Sequence, residues 1–155
     1  MTEQNKHIDS DSVELLSFRV GDQDYSVDIM SVREIRGSAK ATSLPHSPSF
    51  VKGVINLRGT VLPIIDLAAR LGLENGVESE RNVIIVVDFG GRTAGLMVDA
   101  VSDILAIPHD EMQPPPDLAA DQAHTFVSAL TVVDDRMIRI LDLASVFPPR
   151  DEEAA

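Results

Sequence analysis

The chain contains no cysteine and no tryptophan, and its 155 residues include one tyrosine and five phenylalanines. The absence of cysteine excludes disulfides, thiolate zinc sites, iron–sulfur clusters and a cysteine nucleophile. No apolar run approaches the roughly 20 residues that a membrane-spanning helix requires. The first residues, MTEQNK, are polar and lack the apolar segment of a secretory signal, so we expect no direct membrane insertion.

Positive charge is also scarce, because 13 lysines and arginines stand against 25 aspartates and glutamates, for a formal net charge of -12 at pH 7. Such a charge is repelled by phosphate backbones and anionic lipids, so we expect no nucleic-acid partner and no docking on a membrane surface. The hydrophobic content of 44% and charged content of 25% are values of a globular protein. The length fits one domain, since about 150 residues is a typical domain size.

Motifs for catalysis and metal binding are missing as well. The four histidines include no pair at the i, i+4 spacing of helical metal ligands, and neither H-E-x-x-H nor G-x-S-x-G occurs. The glycine-rich stretch at residues 90–95 lacks the Gly-Lys-[Ser/Thr] ending of a phosphate loop. It lies between two predicted strands, which favours a hairpin turn. We therefore expect no catalytic residues, no metal site and no cofactor.

One enzymatic alternative stays open, in which two carboxylates serve a small carboxylate-dependent hydrolase. Asp66 and Asp142 occupy similar sequence surroundings, and each directly precedes a predicted short helix. An aspartate at that position accepts backbone N–H groups of the first helical turn, so N-capping is the simpler interpretation.

Apolar residues at every second position predict a chain rich in β-strands. Polar and glycine-containing turns between these strands predict hairpins at residues 21–24, 58–59, 90–92 and 134–135. Ile29, Val32 and Ile35 recur instead at helical spacing. This spacing predicts a short helical turn that carries Glu34 and Arg36 on its surface.

The two halves of the chain resemble each other. The segment LPIIDLA at residues 62–68 matches IRILDLA at 138–144, and a turn, a strand and a predicted short helix recur upstream in the same order. Such a repeat predicts an all-β fold with short helices, built as two small barrels that share a buried seam. If the seam forms a groove, the equivalent segments 29–35 and 98–104 are candidates for its walls.

The composition also predicts how the chain is divided. Residues 1–12 lack periodicity and are expected to form a flexible arm, and residues 148–155 are expected to form a solvated acidic tail. Residues 13–147 are expected to form a single domain of two repeated subdomains. The approximate boundary between the subdomains falls in the polar stretch at 74–82, with strands free to exchange across it.

Four ordered segments carry a resemblance to a known family. They are VREIRG at residues 32–37, FVKGVINLRG at 50–59, LPIIDL at 62–67 and GLMVDAVSD at 95–103. They look like the signature blocks of CheW, the coupling proteins of bacterial chemotaxis, and the resemblance runs from about Leu15 to Phe147.

This resemblance implies two intertwined SH3-like five-stranded β-barrels and a cytoplasmic, non-enzymatic adaptor. The implied partners are the cytoplasmic hairpin tip of chemoreceptors and the CheA-like regulatory domain of a histidine kinase, within an extended array that includes other CheW-like copies. An alternative within the same class is a coupling protein for a non-flagellar chemosensory pathway, such as one that controls surface motility.

The resemblance also assigns roles to individual positions. By motif position, the apolar receptor contacts in the groove between the barrels would be Ile29, Val32, Val101 and Ile104, and the positions for assembly with receptor and kinase would be Glu34, Ile35 and Arg58. A loop with Gln113 and Leu118 is a candidate contact between neighbours in a ring. The family often has an Arg-Pro pair where this sequence has Gln113-Pro114, so the contact would lack that charge here.

Overall fold

Ten β-strands and two short helices carry the fold in the computed structural model, which describes residues 12–73, 81–115 and 126–148. The strands are β1 (Ser12–Val20), β2 (Gln23–Asp28), β3 (Val32–Gly37), β4 (Val51–Leu57), β5 (Thr60–Asp66), β6 (Val83–Phe89), β7 (Arg92–Val98), β8 (Ala100–Pro108), β9 (Val127–Val133) and β10 (Arg136–Leu141). The helices are α1 (Leu67–Arg70) and α2 (Leu143–Val146), and single 3-10 turns lie at Ile29–Ser31 and His109–Glu111.

Two five-stranded sheets form from these strands. The first has the order β8-β1-β2-β10-β9, and the second has the order β3-β6-β7-β5-β4. When the five strands of each half of the chain are numbered 1 to 5, both sheets have the order 3-1-2-5-4. In each sheet, strands 1 and 2 come from the opposite half to the other three. Each sheet therefore takes one hairpin from one half and three strands from the other.

Each sheet closes on itself beyond its edge strand. After β3, Thr42 exchanges two backbone hydrogen bonds with Val54 of β4, at 2.9 and 2.8 Å. After β8, Gln113 does the same with Leu130 of β9, at 2.8 Å in both directions. The prediction of an all-β fold of two intertwined SH3-like five-stranded barrels is confirmed. We call the sheet that contains β1 the first barrel and the sheet that contains β3 the second barrel.

Backbone conformation accounts for three of the hairpin turns. Positive φ angles occur at both turn residues between β4 and β5, between β6 and β7, and between β9 and β10, at Arg58 and Gly59, Gly90 and Gly91, and Asp134 and Asp135. Two successive positive φ values match the twist of the flanking antiparallel strands. The glycine-rich stretch at 90–95 is thus a hairpin turn followed by β7, as the sequence predicts.

The predicted helical turn at Ile29, Val32 and Ile35 is largely wrong. Only Ile29–Ser31 is helical, and Val32–Gly37 is strand β3, so Glu34 and Arg36 lie on a strand. Burial alternates along β3, with Val32 half-buried and Ile35 exposed. A spacing of three therefore places these two side chains on opposite faces of a strand rather than on one face of a helix.

The core formed by the described residues has three parts. The largest cluster takes buried side chains from both sheets and both helices, including Phe18, Tyr25, Leu96 and Val146, and we call it the shared core. A smaller cluster lies inside the second barrel around Leu62 and another inside the first barrel around Leu15. The buried seam predicted from the repeat is therefore present.

Because the sheets exchange strands, a cut at residues 74–82 leaves strands of both barrels on each side. The domain limits at 13 and 147 and the subdomain boundary at 74–82 stay predictions. The predicted arm and tail lie almost wholly outside the described residues.

Both helices begin at a capping aspartate. The Asp66 carboxylate accepts the Ala69 N–H at 3.3 Å, and the Asp142 carboxylate accepts the Ala144 N–H at 3.1 Å and the Ser145 hydroxyl at 3.0 Å. The N-capping interpretation is confirmed, and it occupies both of the carboxylates that a hydrolase would need.

Candidate functional site

Three of the four predicted groove residues pack inward. Ile29, Val32 and Val101 are half-buried and contact the shared core. Val32 lies opposite Val87 on β6, and Val101 lies opposite Phe18 on β1. The two valines occupy equivalent positions of the repeat, where the chain crosses from one barrel to the other. Their side chains are therefore partly committed to internal packing, which leaves only part of each available to a partner.

The fourth groove residue faces outward, together with its equivalent in the other half. Ile104 on β8 is 59% exposed, and Ile35 on β3 is 46% exposed. Ile104 lies opposite Leu16 and Ile35 opposite Ile85, in matching registers. The repeat thus presents an exposed isoleucine on the edge strand of each barrel, and such side chains are available for contact with another protein.

Glu34 and Arg58, which are 24 residues apart in sequence, come together at one end of the second barrel. Nη2 of Arg58 donates to Oε1 of Glu34 at 2.7 Å, and Arg36 approaches the other carboxylate oxygen at 3.8 Å. The side chain of Arg58 is 72% exposed. The Glu34 side chain is 28% exposed, and because the Arg58 side chain lies largely in solvent the pair contributes only about 0–1 kcal/mol to stability.

The backbone at Arg58 is unusual for a non-glycine residue. Its φ angle is 53°, in the left-handed region, and Gly59 follows at 90°. Asn56 supports the turn because its side-chain oxygen accepts the Gly59 N–H at 2.8 Å. Asparagine and glycine are the residues that this turn favours at the position of Arg58. The guanidinium is therefore present at a conformational cost.

A shallow cavity of about 200 Å³ opens beside this ion pair. Side chains from β3, the β4–β5 hairpin, β6 and β7 line it, including Arg33, Glu34 and Arg58. Arg33 is held in turn by Asp88 at 2.8 Å. The end of the second barrel thus combines ordered charges with a concave surface.

The corresponding end of the first barrel carries different chemistry. The repeat places Asp103 at the position of Glu34 and Asp134 at the position of Arg58, and both aspartates are exposed. Two carboxylates replace the ion pair there, so the two barrel ends offer different charges to a partner. Asp134 also has a positive φ, of 52°, which shows that the turn geometry itself is repeated.

The predicted ring-contact loop is described only in part. Gln113 is exposed, and its backbone forms the bridge to Leu130 that closes the first barrel. Leu118 lies outside the described residues. The loop therefore has a structural role at Gln113, and its role in assembly stays a prediction.

Sequence reasoning missed several exposed apolar side chains. Met30 is 87% exposed on the 3-10 turn between the barrels, Val61 is 64% exposed, and the cross-strand neighbours Val132 and Met137 are 56% and 48% exposed. Strict alternation in β10 could have identified Met137, since Ile138 and Ile140 define the buried face.

In the part of the chain that the structure describes, no helix has the length and apolar character needed to cross a membrane. Likewise, no three metal-binding side chains among residues 12–73, 81–115 and 126–148 lie close enough together to hold an ion.

Comparison with known proteins agrees with this architecture. A family model described as CheW-like domain matches residues 14–150. The chain is 50% identical over 155 residues to the chemotaxis protein CheW of Rhizobium meliloti (strain 1021), with all of both chains covered. It is 48% identical over 150 residues to the probable chemotaxis protein CheW of Rhizobium etli, with 97% of each chain covered.

A solved structure has the same fold. The crystal structure of the scaffolding protein TtCheW from Thermoanaerobacter tengcongensis superposes with a TM-score of 0.82 at 34% identity, covering 90% of this chain and 94% of that one. Two closed barrels with exchanged strands, together with these similarities, define a chemotaxis coupling adaptor. The chain belongs to the CheW family.

Proposed function

We propose that the protein links the cytoplasmic hairpin tip of a chemoreceptor to the CheA-like regulatory domain of a histidine kinase, and that it catalyses no reaction itself. It would act in the cytoplasm, within an array in which other CheW-like copies are neighbours. The receptor helices would lie across the region between the barrels, where Ile104 is exposed and Ile29, Val32 and Val101 form the floor. Glu34, Ile35 and Arg58 would take part in assembly with receptor and kinase.

The observation that carries this proposal is the pairing of Glu34 with Arg58 at the end of the second barrel, at 2.7 Å. The pair adds little to stability, and the turn that holds Arg58 would favour another residue. A strained and exposed cation that adds little to stability is best explained by a contact outside the chain. A partner carboxylate would meet Arg58 in a charge-assisted hydrogen bond.

Apolar burial would supply the receptor contact. An exposed isoleucine that becomes fully covered gains roughly 1.5–3 kcal/mol before the costs of association. Those costs are large, so each contact alone would be weak, and firm attachment would come from several linked contacts in the array.

The adaptor interpretation is favoured over the hydrolase alternative because the carboxylates of Asp66 and Asp142 both cap helices. It is favoured over a non-flagellar pathway because the two Rhizobium relatives above are named as chemotaxis proteins.

Separate binding assays with the two partners test the proposal. A receptor hairpin tip and a kinase regulatory domain are each titrated against the wild-type chain, Ile104→Ser and Arg58→Asn. We expect Ile104→Ser to weaken receptor binding and Arg58→Asn to weaken assembly with at least one partner. Wild-type affinity of both variants for both partners would overturn the residue assignments. Absence of binding by the wild-type chain would overturn the proposed function.

A further inference from the structure

The Arg70 side chain crosses from one barrel to the other at the ends of the short helices. Arg70 is the last residue of α1, which follows β5 of the second barrel. Its Nε donates to the Val146 carbonyl at 3.0 Å and its Nη2 donates to the Ser145 carbonyl at 2.9 Å. Both acceptors lie in α2, which follows β10 of the first barrel. Because the last carbonyls of a helix have no partner within it, the guanidinium completes their hydrogen bonding.

The same guanidinium lies between two equivalent phenylalanines. Its central carbon is 4.0 Å from the centroid of the Phe50 ring and 5.0 Å from that of Phe126. Phe50 directly precedes β4 of the second barrel, and Phe126 directly precedes β9 of the first barrel. Their carbonyls accept the N–H groups of Asp66 and Asp142, each at 2.8 Å. Arg70 therefore contacts corresponding elements of both halves of the repeat.

The arrangement suits arginine and no other cation. A planar guanidinium can donate two hydrogen bonds in its own plane while its faces lie against aromatic rings, whereas an ammonium group cannot do both. Burial lowers the pKa of Arg70 below its ordinary value. The equivalent position of the repeat is Val146, which is fully buried, so the contact is made from one side only.

We infer that Arg70 is a positioning residue that fixes the orientation of one barrel relative to the other, and thereby the shape of the region between them. Its effect on a receptor rests on the proposed function, in which the receptor helices contact both barrels. Arg92 also crosses from β7 toward the end of α2, 5.3 Å above the Phe147 ring. Removal of Arg70 should therefore widen the range of orientations between the two barrels without separating them.

Spin labels can measure this orientation, because the chain has no cysteine of its own. Thr60→Cys in the second barrel and Val132→Cys in the first barrel introduce one exposed labelling site each. Electron–electron double resonance then gives the distance distribution between the labels without any partner present. We expect a narrow distribution with Arg70, a broadened or shifted one with Arg70→Met, and an intermediate one with Arg70→Lys, which keeps the charge and loses the planar fork.

A matched control removes the same kind of contact within one barrel. The guanidinium of Arg139 lies 5.5 Å from the Tyr25 ring centroid and its Nη1 donates to the Asp24 carbonyl at 3.4 Å. All three residues belong to strands of the first barrel. Arg139→Met should therefore leave the distance distribution between the labels unchanged.

The outcomes decide the inference. An unchanged distribution in Arg70→Met, or the same broadening in Arg139→Met, would overturn it. If circular dichroism shows that Arg70→Met does not fold, the distance distribution of Arg70→Lys is compared with that of the chain with Arg70 instead. An unchanged distribution in Arg70→Lys would then overturn the inference.

Receptor-binding measurements distinguish a failure of this inference from a failure of the proposed function. We expect Arg70→Met to lower the affinity for a receptor tip by about tenfold, which corresponds to roughly 1.4 kcal/mol. A broadened distribution with unchanged receptor affinity would support the positioning role of Arg70 and contradict the placement of the receptor between the barrels.

Discussion

At the scale of single residues, Arg58 combines an exposed charge with a backbone conformation that disfavours its side chain. A left-handed conformation costs an ordinary residue roughly 1 kcal/mol, and the second residue of the turn, Gly59, avoids this cost. The exposed ion pair with Glu34 returns at most a similar amount. Selection for stability alone would therefore not place an arginine here.

We expect Arg58→Asn to raise the free energy of unfolding by about 0–1 kcal/mol, because asparagine tolerates the left-handed region and the lost ion pair with Glu34 offsets part of that gain. The same substitution removes the guanidinium and should abolish coupling between receptor and kinase. Urea denaturation and a kinase-coupling assay on the same protein preparation measure the two effects.

The equivalent turn of the first barrel provides the control. Asp134 also has a positive φ, but aspartate tolerates the left-handed region nearly as well as asparagine, so Asp134→Asn should change stability by less than about 0.5 kcal/mol. It should leave coupling intact, because no binding role is proposed for Asp134. A loss of stability in Arg58→Asn, or retained coupling, would contradict the functional role given to Arg58.

Ile104 and Val101 are expected to separate binding from folding. Ile104 is 59% exposed, so Ile104→Ser should change stability by less than about 0.5 kcal/mol while it weakens receptor binding. Val101 packs against the shared core, so Val101→Asp should destabilise the protein by more than about 2 kcal/mol. Thermal unfolding and a receptor-tip titration would distinguish the two variants. Equal stability for both would show that the shared core does not extend to Val101.

At the scale of elements, closure of the second barrel depends on a glycine. A Cβ atom at Gly53 would lie 2.4 Å from the Thr42 carbonyl oxygen, and the φ angle of 149° disfavours a side chain there. These are the same backbone atoms that bridge β4 to the segment after β3. The close approach of the two chains at this point therefore requires that no side chain intervenes.

We expect Gly53→Ala to destabilise the protein by about 2–4 kcal/mol, because the backbone of Thr42 must move. The repeat has Ala129 at the corresponding position of the first barrel, where a Cβ atom is already accommodated. Ala129→Gly should cost only about 0.5–1 kcal/mol, the usual penalty for glycine in a strand. Chemical denaturation of both variants tests this difference, and equal costs would contradict it.

The elements also show what the sequence could and could not predict. The turn at Arg58-Gly59 and the capping residues Asp66 and Asp142 depend on local chemistry, and they were predictable. The strand Val32–Gly37 was mistaken for a helical turn because its apolar residues are three apart. The bridges that close each barrel join residues with no local signal, and pairing of this kind depends on the whole fold.

The candidate site likewise combines features that were predictable from the sequence with features that depend on the whole fold. Sequence and family resemblance together pointed to Glu34 and Arg58, and the 2.7 Å contact between them emerged only from the folded chain. The half-burial of Val32 and Val101 was not predictable, because it depends on side chains contributed by both barrels. Arg70 belongs to no recognisable sequence motif, and the positioning role inferred for it depends on elements from both halves of the chain.

At the scale of the whole molecule, we expect the exchange of strands to make the two barrels one folding unit. The shared core takes side chains from both sheets, and each sheet takes strands from both halves of the chain. Neither half has a complete sheet of its own. The barrels should therefore unfold together, although their interiors form separate clusters.

Tyr25, the one tyrosine of the chain, reports on the shared core, where it is fully buried. We expect its fluorescence and the far-ultraviolet circular dichroism to change in a single coincident transition with urea. Two resolved transitions would contradict the single folding unit and would indicate that one barrel persists after the other has unfolded.

An adaptor must hold two partners at once, and this can be measured by reconstitution. Receptor tips, a histidine kinase and the chain are mixed and sedimented, and kinase activity is read in the pellet with the wild-type chain, Arg58→Asn and Ile104→Ser. We expect the wild-type chain to carry the kinase into the receptor pellet and change its activity, and both variants to fail while remaining folded. Kinase that sediments with receptors equally well without the chain, or with both variants, would contradict the coupling function.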